Sequence, residues 1–411
     1  MRFFKTFLRT VNGEAGCKKL RMALTFKKIT GKIHLWLGLA SGIIIVFLGI
    51  TGCILAFEQE IKSVTQPYLY VEESNQPVLP PSKLQQIAMA ALPDKLPHSV
   101  SYPDKGRSAQ VVFYNPEPEY YYTVYINQYT GQVLKVKNED AGFFRVVLMG
   151  HYYLWLPPAI GQPILATATL IFLIMLISGI VLWWPKNKAA RKQRFSVKWN
   201  ATFKRKNYDL HNVLGFYVSW IAIFIAVTGL VWGFQWFAKS LYWTTSGGKQ
   251  LVEFYEPVSE KPGKALISAS APAIDKVWQK MNIDYPTAEV IEVHIPGSEA
   301  AAIEAVANPD AGTYWKADYI YFDQYSLKEI DVTHPYGRYA NAGAADKIMR
   351  MNYDVHTGAV LGITGKIIAF FASLIAASLP VTGFLIWRGR HKKKKVAKPA
   401  IVKKRELVTA V

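Results

Sequence analysis

Four membrane-spanning helices arranged as two tandem copies, with a small α+β domain between the two helices of each copy, is the fold that this 411-residue chain predicts. Three observations lead there. Four uncharged apolar runs, 35–57, 164–184, 213–237 and 367–387, approach the ~20 residues that a bilayer demands of a helix. The stretch 34–59 recurs at 211–236, with His34 matching His211, Gly38 matching Gly215, Thr51-Gly52 matching Thr228-Gly229 and Phe57 matching Phe234, all at an offset of 177. Lys and Arg, finally, are concentrated outside these runs in three blocks, 1–33, 185–210 and 388–411, against only Glu14, Asp209 and Glu406. Runs so long and so free of charge exclude four buried core helices of a soluble chain.

The net charge of +19 is therefore a statement about topology. The three basic blocks face the cytoplasm by the positive-inside rule, and the mildly acidic stretches 58–163 and 238–366 face the other side. Both termini are then cytoplasmic. Nucleic-acid binding by the KKKK run at 392–395 is not needed to explain it, because orientation and anionic lipid account for the charge. Cys17 falls on the cytoplasmic side and Cys53 inside the first span, so no disulfide is expected. No cleaved signal peptide is expected either, since the first apolar run exceeds an h-region and lacks a small-residue cleavage site.

In chain order, residues 1–33 read as a basic lead-in on the inner membrane surface, followed by the first span (34–57). An exported domain occupies 58–142. Its SKLQQIAMAAL has helical spacing, while AQVVFY and YYTVYINQYTGQVLKV alternate with the period of strands and turn at Tyr129-Thr130-Gly131. A short interfacial helix (143–158), the second span (164–184) and the basic loop (185–210) complete the first copy. The second copy runs through a span (211–237), an exported domain (238–345), an interfacial helix (346–366), a span (367–387) and the basic tail (388–411). In its domain ADYIYFDQYSLKEI matches YTVYINQYTGQV at an offset of 196, with Leu327 in place of the turn glycine, so this copy is degenerate.

Four of the eight histidines occupy equivalent positions beside the membrane. His34 and His211 open spans that start inside; His151 and His356 precede spans that start outside. A single interfacial histidine is often only a hydrogen-bonding anchor. Four in register, sorted into two pairs at two depths, fit the axial ligands of two haem irons, since ionisable groups at membrane depth are rare and default to function. A cation lies six residues before each: Lys28, Arg145, Arg205 and Arg350. Six residues of helix rise about 9 Å, enough to reach a propionate. Lys28 and Arg205 read as ordinary flanking charges, whereas Arg145 and Arg350, on the side poor in such charge, are propionate candidates. His98, His294, His334 and His391 lack register and read as surface residues. The absence of G-x-G-x-x-G after a strand, of a P-loop, C-x-x-C, H-E-x-x-H and G-x-S-x-G leaves hydride, nucleotide, zinc-peptidase and serine-hydrolase chemistry without support.

The run Y-T-V-Y-I-N-Q-Y-T-G-Q-V-L resembles a PepSY domain. Together with LMGHYYLWLPP, SGIVLWWPK, YDLHNVLGFYVSW and YDVHTGAVLGITG, kept in order from about residue 27 to 390, it makes the chain similar to the PepSY-associated transmembrane family. That resemblance implies a bacterial inner-membrane protein, and for members of assigned activity a ferric siderophore reductase holding two b-type haems on His34, His211, His151 and His356. Some relatives append a flavin reductase domain, which is not expected here. The expectation is thus a transmembrane electron wire, fed by a quinol or a separate flavin reductase, that reduces a ferric siderophore or other ferric chelate in the periplasm. The alternative is a non-redox membrane protein whose PepSY-like domains bind or restrain a periplasmic protease or other partner.

Overall fold

A single helix, α1 (Arg2–Leu55), runs without interruption from the basic lead-in through the first span, so the lead-in and the span are one element. The computed structural model describes residues 2–185, 194–260 and 271–391, with side chains from Phe26 to Arg390 among them. Residues 186–193 of the basic loop and nearly all of the basic tail, the KKKK run included, lie outside the described residues, as does the side chain of Cys17. Cys53 is buried and unpaired.

Among the described residues four helices are long and apolar enough to cross a membrane: α1, α5 (Pro158–Trp183), α6 (Phe203–Gly233) and α11 (Gly362–His391). They form a bundle in which α1 and α6 each pack against both α5 and α11. Leu176, Val218, Ala222 and Ala372 make its centre. Outside, Ile43, Trp220 and Phe224 project fully or half exposed, an apolar surface that lipid accepts and water does not. The helices overrun the apolar runs because polar flanks continue the helical hydrogen bonding where water resumes.

Two hairpin-like corners return the chain to the bundle. After α2 (Glu58–Thr65) and the sheet domain, α4 (Phe143–Tyr153) is joined to α5 through Leu154 and Trp155, both in the left-handed region (φ 55° and 57°). This crossing needs glycine at 161, where a Cβ would stand 1.9 Å from the carbonyl oxygen of Tyr153. The second corner solves the same problem with Gly365, whose Cβ would meet the Gly358 oxygen at 2.0 Å. There the expected single interfacial helix is two, α9 (Ala344–Arg350) and α10 (Asn352–Thr357).

The extramembrane part differs from expectation. Rather than two separate small domains, it is one eight-stranded antiparallel sheet in the order β4-β3-β2-β1-β5-β6-β7-β8. Helix α3 (Pro81–Ala91) precedes β1 (Ser99–Tyr102), β2 (Ala109–Pro116), β3 (Glu119–Ile126) and β4 (Val133–Asn138). After α7 (Gln235–Thr245), helix α8 (Ala273–Asp284) precedes β5 (Val290–His294), β6 (Ile303–Asn308), β7 (Asp318–Phe322) and β8 (Glu329–Ile330). The halves join edge to edge, β1 on β5, with Ser99 opposite His294 and Tyr102 opposite Ile291. An open edge strand presents unpaired backbone donors and acceptors, and each half covers the other's. Both helices lie on one face, Leu84 and Ala88 over Val111 and Phe113, Val277 and Met281 over Val293 and Phe322, with Trp278 touching both clusters. Asp275 ties α8 to α3 by accepting from Ser82 N (2.8 Å) and Oγ (2.6 Å).

The turn that looked degenerate keeps its form. Asn127 Oδ1 accepts from the amides of Tyr129 and Thr130, and Asp323 Oδ1 accepts from those of Tyr325 and Ser326. Leu327 takes the left-handed conformation of Gly131 (φ 58° against 76°). The side-chain oxygen that nucleates the turn is common to Asn and Asp, so losing the glycine costs strain without changing the path.

Candidate functional site

The structure brings the four registered histidines together in two pairs. His34 on α1 faces His211 on α6, ring centres 6.5 Å apart and planes 84° to one another. His151 on α4 faces His356 on α10, at 6.3 Å and 69°. Along α1, His34 and Thr51 are 17 residues apart, as are His211 and Thr228 on α6. Since Thr51 and Thr228 contact the second pair, the two pairs stand roughly 26 Å apart along the helix axes at 1.5 Å per residue.

Each ring has a hydroxyl at Nδ1, and His356 Nδ1 also reaches Ile225 O (3.1 Å). His34 Nδ1 lies 2.8 Å from Ser178 Oγ, His211 Nδ1 2.9 Å from Thr382 Oγ1, His151 Nδ1 2.8 Å from Thr51 Oγ1, and His356 Nδ1 2.9 Å from Thr228 Oγ1. Each hydroxyl is also within hydrogen-bond reach of a carbonyl of its own helix: Ser178 of Met175 O, Thr382 of Ser378 O, Thr51 of Phe47 O and Thr228 of Phe224 O. At His356 the Ile225 carbonyl, 3.1 Å from Nδ1, can only accept, so this Nδ1 carries the proton, and the same tautomer on the other three rings lets every hydroxyl keep its bond to its own helix. In that tautomer the Nε2 lone pair is free. Among the described residues none of these Nε2 atoms has a hydrogen-bond partner.

The residue after each hydroxyl is glycine. A Cβ would stand 3.5 Å from His34 Cε1 at Gly179, 3.2 Å from His211 at Gly383, 3.7 Å from His151 at Gly52, and 3.5 Å from His356 at Gly229. A four-fold Ser/Thr-Gly dipeptide thus supplies both the acceptor and the room for the ring. The sequence contains this signal at 51–52, 178–179, 228–229 and 382–383, but nothing local assigns the hydroxyls to histidines 100 to 171 residues away.

Around His34 and His211 lies a cavity of about 480 Å³, walled by small and apolar residues such as Gly38, Gly215, Phe172 and Leu176, with Arg194 and Arg390 also in its lining. Two bonds of about 2 Å from facing imidazole nitrogens to one metal leave ring centres at about the separation seen here. Two imidazoles and no third protein donor is what haem iron takes when a macrocycle supplies its other ligands. Among the described residues no group of three His, Cys, Asp or Glu side chains is placed to hold a metal ion. At His34 and His211 the donor set, the spacing and the slot lined by small residues fit haem, and at His151 and His356 the donor set and the spacing do.

The cations are placed otherwise. Arg350, expected at a propionate, is 5% exposed and turned into the sheet domain. Its Nε donates to Trp315 O (3.0 Å), Nη1 to Gly337 O (3.1 Å) and Nη2 to Ala317 O, while Tyr319 and Tyr339 flank the guanidinium at 5.4 Å each. Its donors are committed to backbone carbonyls, and the propionate reading is dropped for it. Arg145 pairs with Asp140 at 2.7 Å, and Arg205 with the buried Asp209. His334, expected at the surface, is 4% exposed among Phe254, Tyr255 and Tyr321, its Nδ1 accepting from Tyr336 N. His98 and His294 meet at the β1–β5 seam, ring centres 4.8 Å apart.

A family model for the PepSY-associated TM region matches residues 32–390. No curated protein matches the chain.

Proposed function

This chain belongs to the family of the PepSY-associated transmembrane region, and from that premise we propose that it is a di-haem membrane oxidoreductase acting on ferric chelates. In this reading the chain is a tandem repeat in the bacterial inner membrane, with both termini cytoplasmic and the sheet domain periplasmic. His34 and His211 hold a b-type haem at the cytoplasmic end, and His151 and His356 hold another at the periplasmic end. The haems supply reversible one-electron chemistry at both faces of a hydrocarbon layer roughly 30 Å thick, which one site does not span. With two histidines assigned to each group, the four side chains would hold the haems for electron transfer and not for binding oxygen or chelate. Siderophore oxygens are hard donors that suit ferric better than ferrous iron, and reduction therefore releases the metal. The donor is a quinol or a separate flavin reductase.

The observation that carries the reading is the arrangement of the rings: four imidazoles in two pairs with centres 6.5 and 6.3 Å apart, each with a hydroxyl at Nδ1, a tautomer that leaves Nε2 free to bind iron. A group that merely anchors a helix at the interface has no need of a fixed tautomer in four places. Protein purified in mild detergent is expected to give sharp low-spin b-type bands on dithionite reduction, with about two haems per chain. A featureless spectrum from folded, haem-supplemented protein would sink the proposal and leave the sheet domain as the functional part.

A further inference from the structure

We propose that the segment Arg350–His356 makes the sheet domain a positioning element for the sheet-proximal histidine pair, with Arg350 and Asp354 as the positioning residues. The inference rests on the di-haem reading and adds a way for the extramembrane domain to act on the site. In this segment Arg350, Asn352 and Asp354 are all buried, Asp354 completely (0% exposed). Polar side chains are not buried in succession without partners, and each partner here is backbone of another element.

Asp354 accepts from the amides of Tyr314 (3.1 Å) and Trp315 (3.0 Å), in the loop between β6 and β7. Arg350 takes the carbonyls of Trp315 and Ala317 in the same loop and that of Gly337 beyond β8. Donors and acceptors of one short loop are thus gripped by a carboxylate and a guanidinium four residues apart, each through charge-assisted bonds of the stronger kind. Asn352 and His356 belong to the bundle side. Asn352 Nδ2 donates to Thr228 O (3.1 Å), and Thr228 is the residue whose hydroxyl fixes His356 Nδ1. One seven-residue segment therefore grips the sheet domain and the ligand's own hydroxyl partner.

The equivalent segment 145–151 has no such grip. Val147 and Met149 stand where Asn352 and Asp354 would, and Arg145 pairs with Asp140 on an exposed face. Of the two sheet-proximal ligands, only His356 is coupled to the sheet through buried polar contacts. A displacement of the 313–317 loop would tilt α10 and turn the His356 ring against His151, changing the 69° angle between the planes. That angle governs the low-spin electronic signature and the potential of iron held between two imidazoles.

The test uses Asp354→Asn and Arg350→Lys, which keep size or charge while weakening the grip, with Lys316→Ala, an exposed side chain of the same loop, as control. The full-length haem-loaded protein is examined by electron paramagnetic resonance and redox titration. The protein prepared without haem is examined by hydrogen exchange. Both variants should shift the signal and midpoint of one of the two haems and leave the other in place. They should also speed exchange at the Tyr314 and Trp315 amides in the haem-free chain, and Lys316→Ala should do neither. Both signals unchanged in folded, fully loaded variants would overturn the proposal, as would equal disturbance of both haems, which marks a merely structural role. Wild-type protein that takes up no haem would instead remove the di-haem reading, and this inference with it.

Discussion

The two histidine pairs use the same four-part device and are built from different parts of the chain. His34 and His211 both sit within spanning helices, and their hydroxyl partners Ser178 and Thr382 lie on the other two, so the bundle alone makes that site. His151 and His356 sit on the short helices α4 and α10, outside the long spans, and only their partners Thr51 and Thr228 belong to the bundle. A site made by the bundle moves only when the bundle moves. A site whose ligands arrive on corner helices is set by whatever holds the corners: Gly161 and Trp155 on one side, the Arg350–Asp354 grip on the other. Like histidine–hydroxyl pairs thus accompany unequal mechanical ties.

The largest effect that can break this comparison comes from removing a ligand. His151→Ala should cost the sheet-proximal haem and external chelate reduction while leaving the other haem's spectrum, so that haem per chain falls from about two to about one. Loss of both haems would show that the two sites are not separately built. Next in size, Thr51→Val and Thr382→Val preserve shape but remove the acceptor from Nδ1. Each is expected to weaken haem retention at its own site by roughly 10–100-fold, the usual cost of losing such a partner, read as haem loss to apo-myoglobin. The glycines grade the effect further. Gly383→Ala places a methyl 3.2 Å from His211 and should perturb that haem's spectrum, whereas Gly52→Ala, at 3.7 Å from His151, should be tolerated.

The smallest expected effect separates the sheet from the bundle by pH. Burial, then repulsion from Glu292 and Glu256, raises the Glu304 carboxyl from 4.5 to about 7. A carboxyl whose folded pKa is raised keeps its proton in the fold after the unfolded chain has lost it. Stability it lends is therefore full below pH 4.5 and is lost as pH rises through about 7, a swing on the order of 3 kcal/mol at most. Hydrogen exchange in β5 and β6 should quicken over that interval, with the spans unaffected. Glu304→Gln, which cannot ionise, should reduce the pH dependence, leaving what His98 and His294 at the same seam contribute.

Much of this was legible in the residues. The spans follow from runs of apolar residues, a local property, and the pairing of His34 with His211 and of His151 with His356 follows from offset and sidedness. The turn at Tyr129-Thr130-Gly131 was readable from its glycine, whereas the one after Asp323 looked degenerate because Leu327 stands in the glycine's place, although a side chain bonding its own backbone two residues on forms both. Less legible was the fate of Arg350. Six residues before a histidine it looks like an anion ligand, yet its donors go to carbonyls of a loop 33 to 35 residues earlier in the chain. The fused sheet was equally hidden, since each half has the composition of a complete small domain and only the bare edges of β1 and β5 argue for joining them.

Readable from the residues alone were four runs long and apolar enough to cross a membrane, four histidines at matching places in a recurring pattern, and two stretches each reading as a helix with antiparallel strands. These rest on hydropathy, periodicity and self-similarity, which neighbours along the chain are enough to define. Packing alone shows which hydroxyl meets which imidazole and that the two sheet halves are one. Hydrogen bonds between residues more than a hundred positions apart are set by how helices and strands pack, and no local pattern encodes that packing.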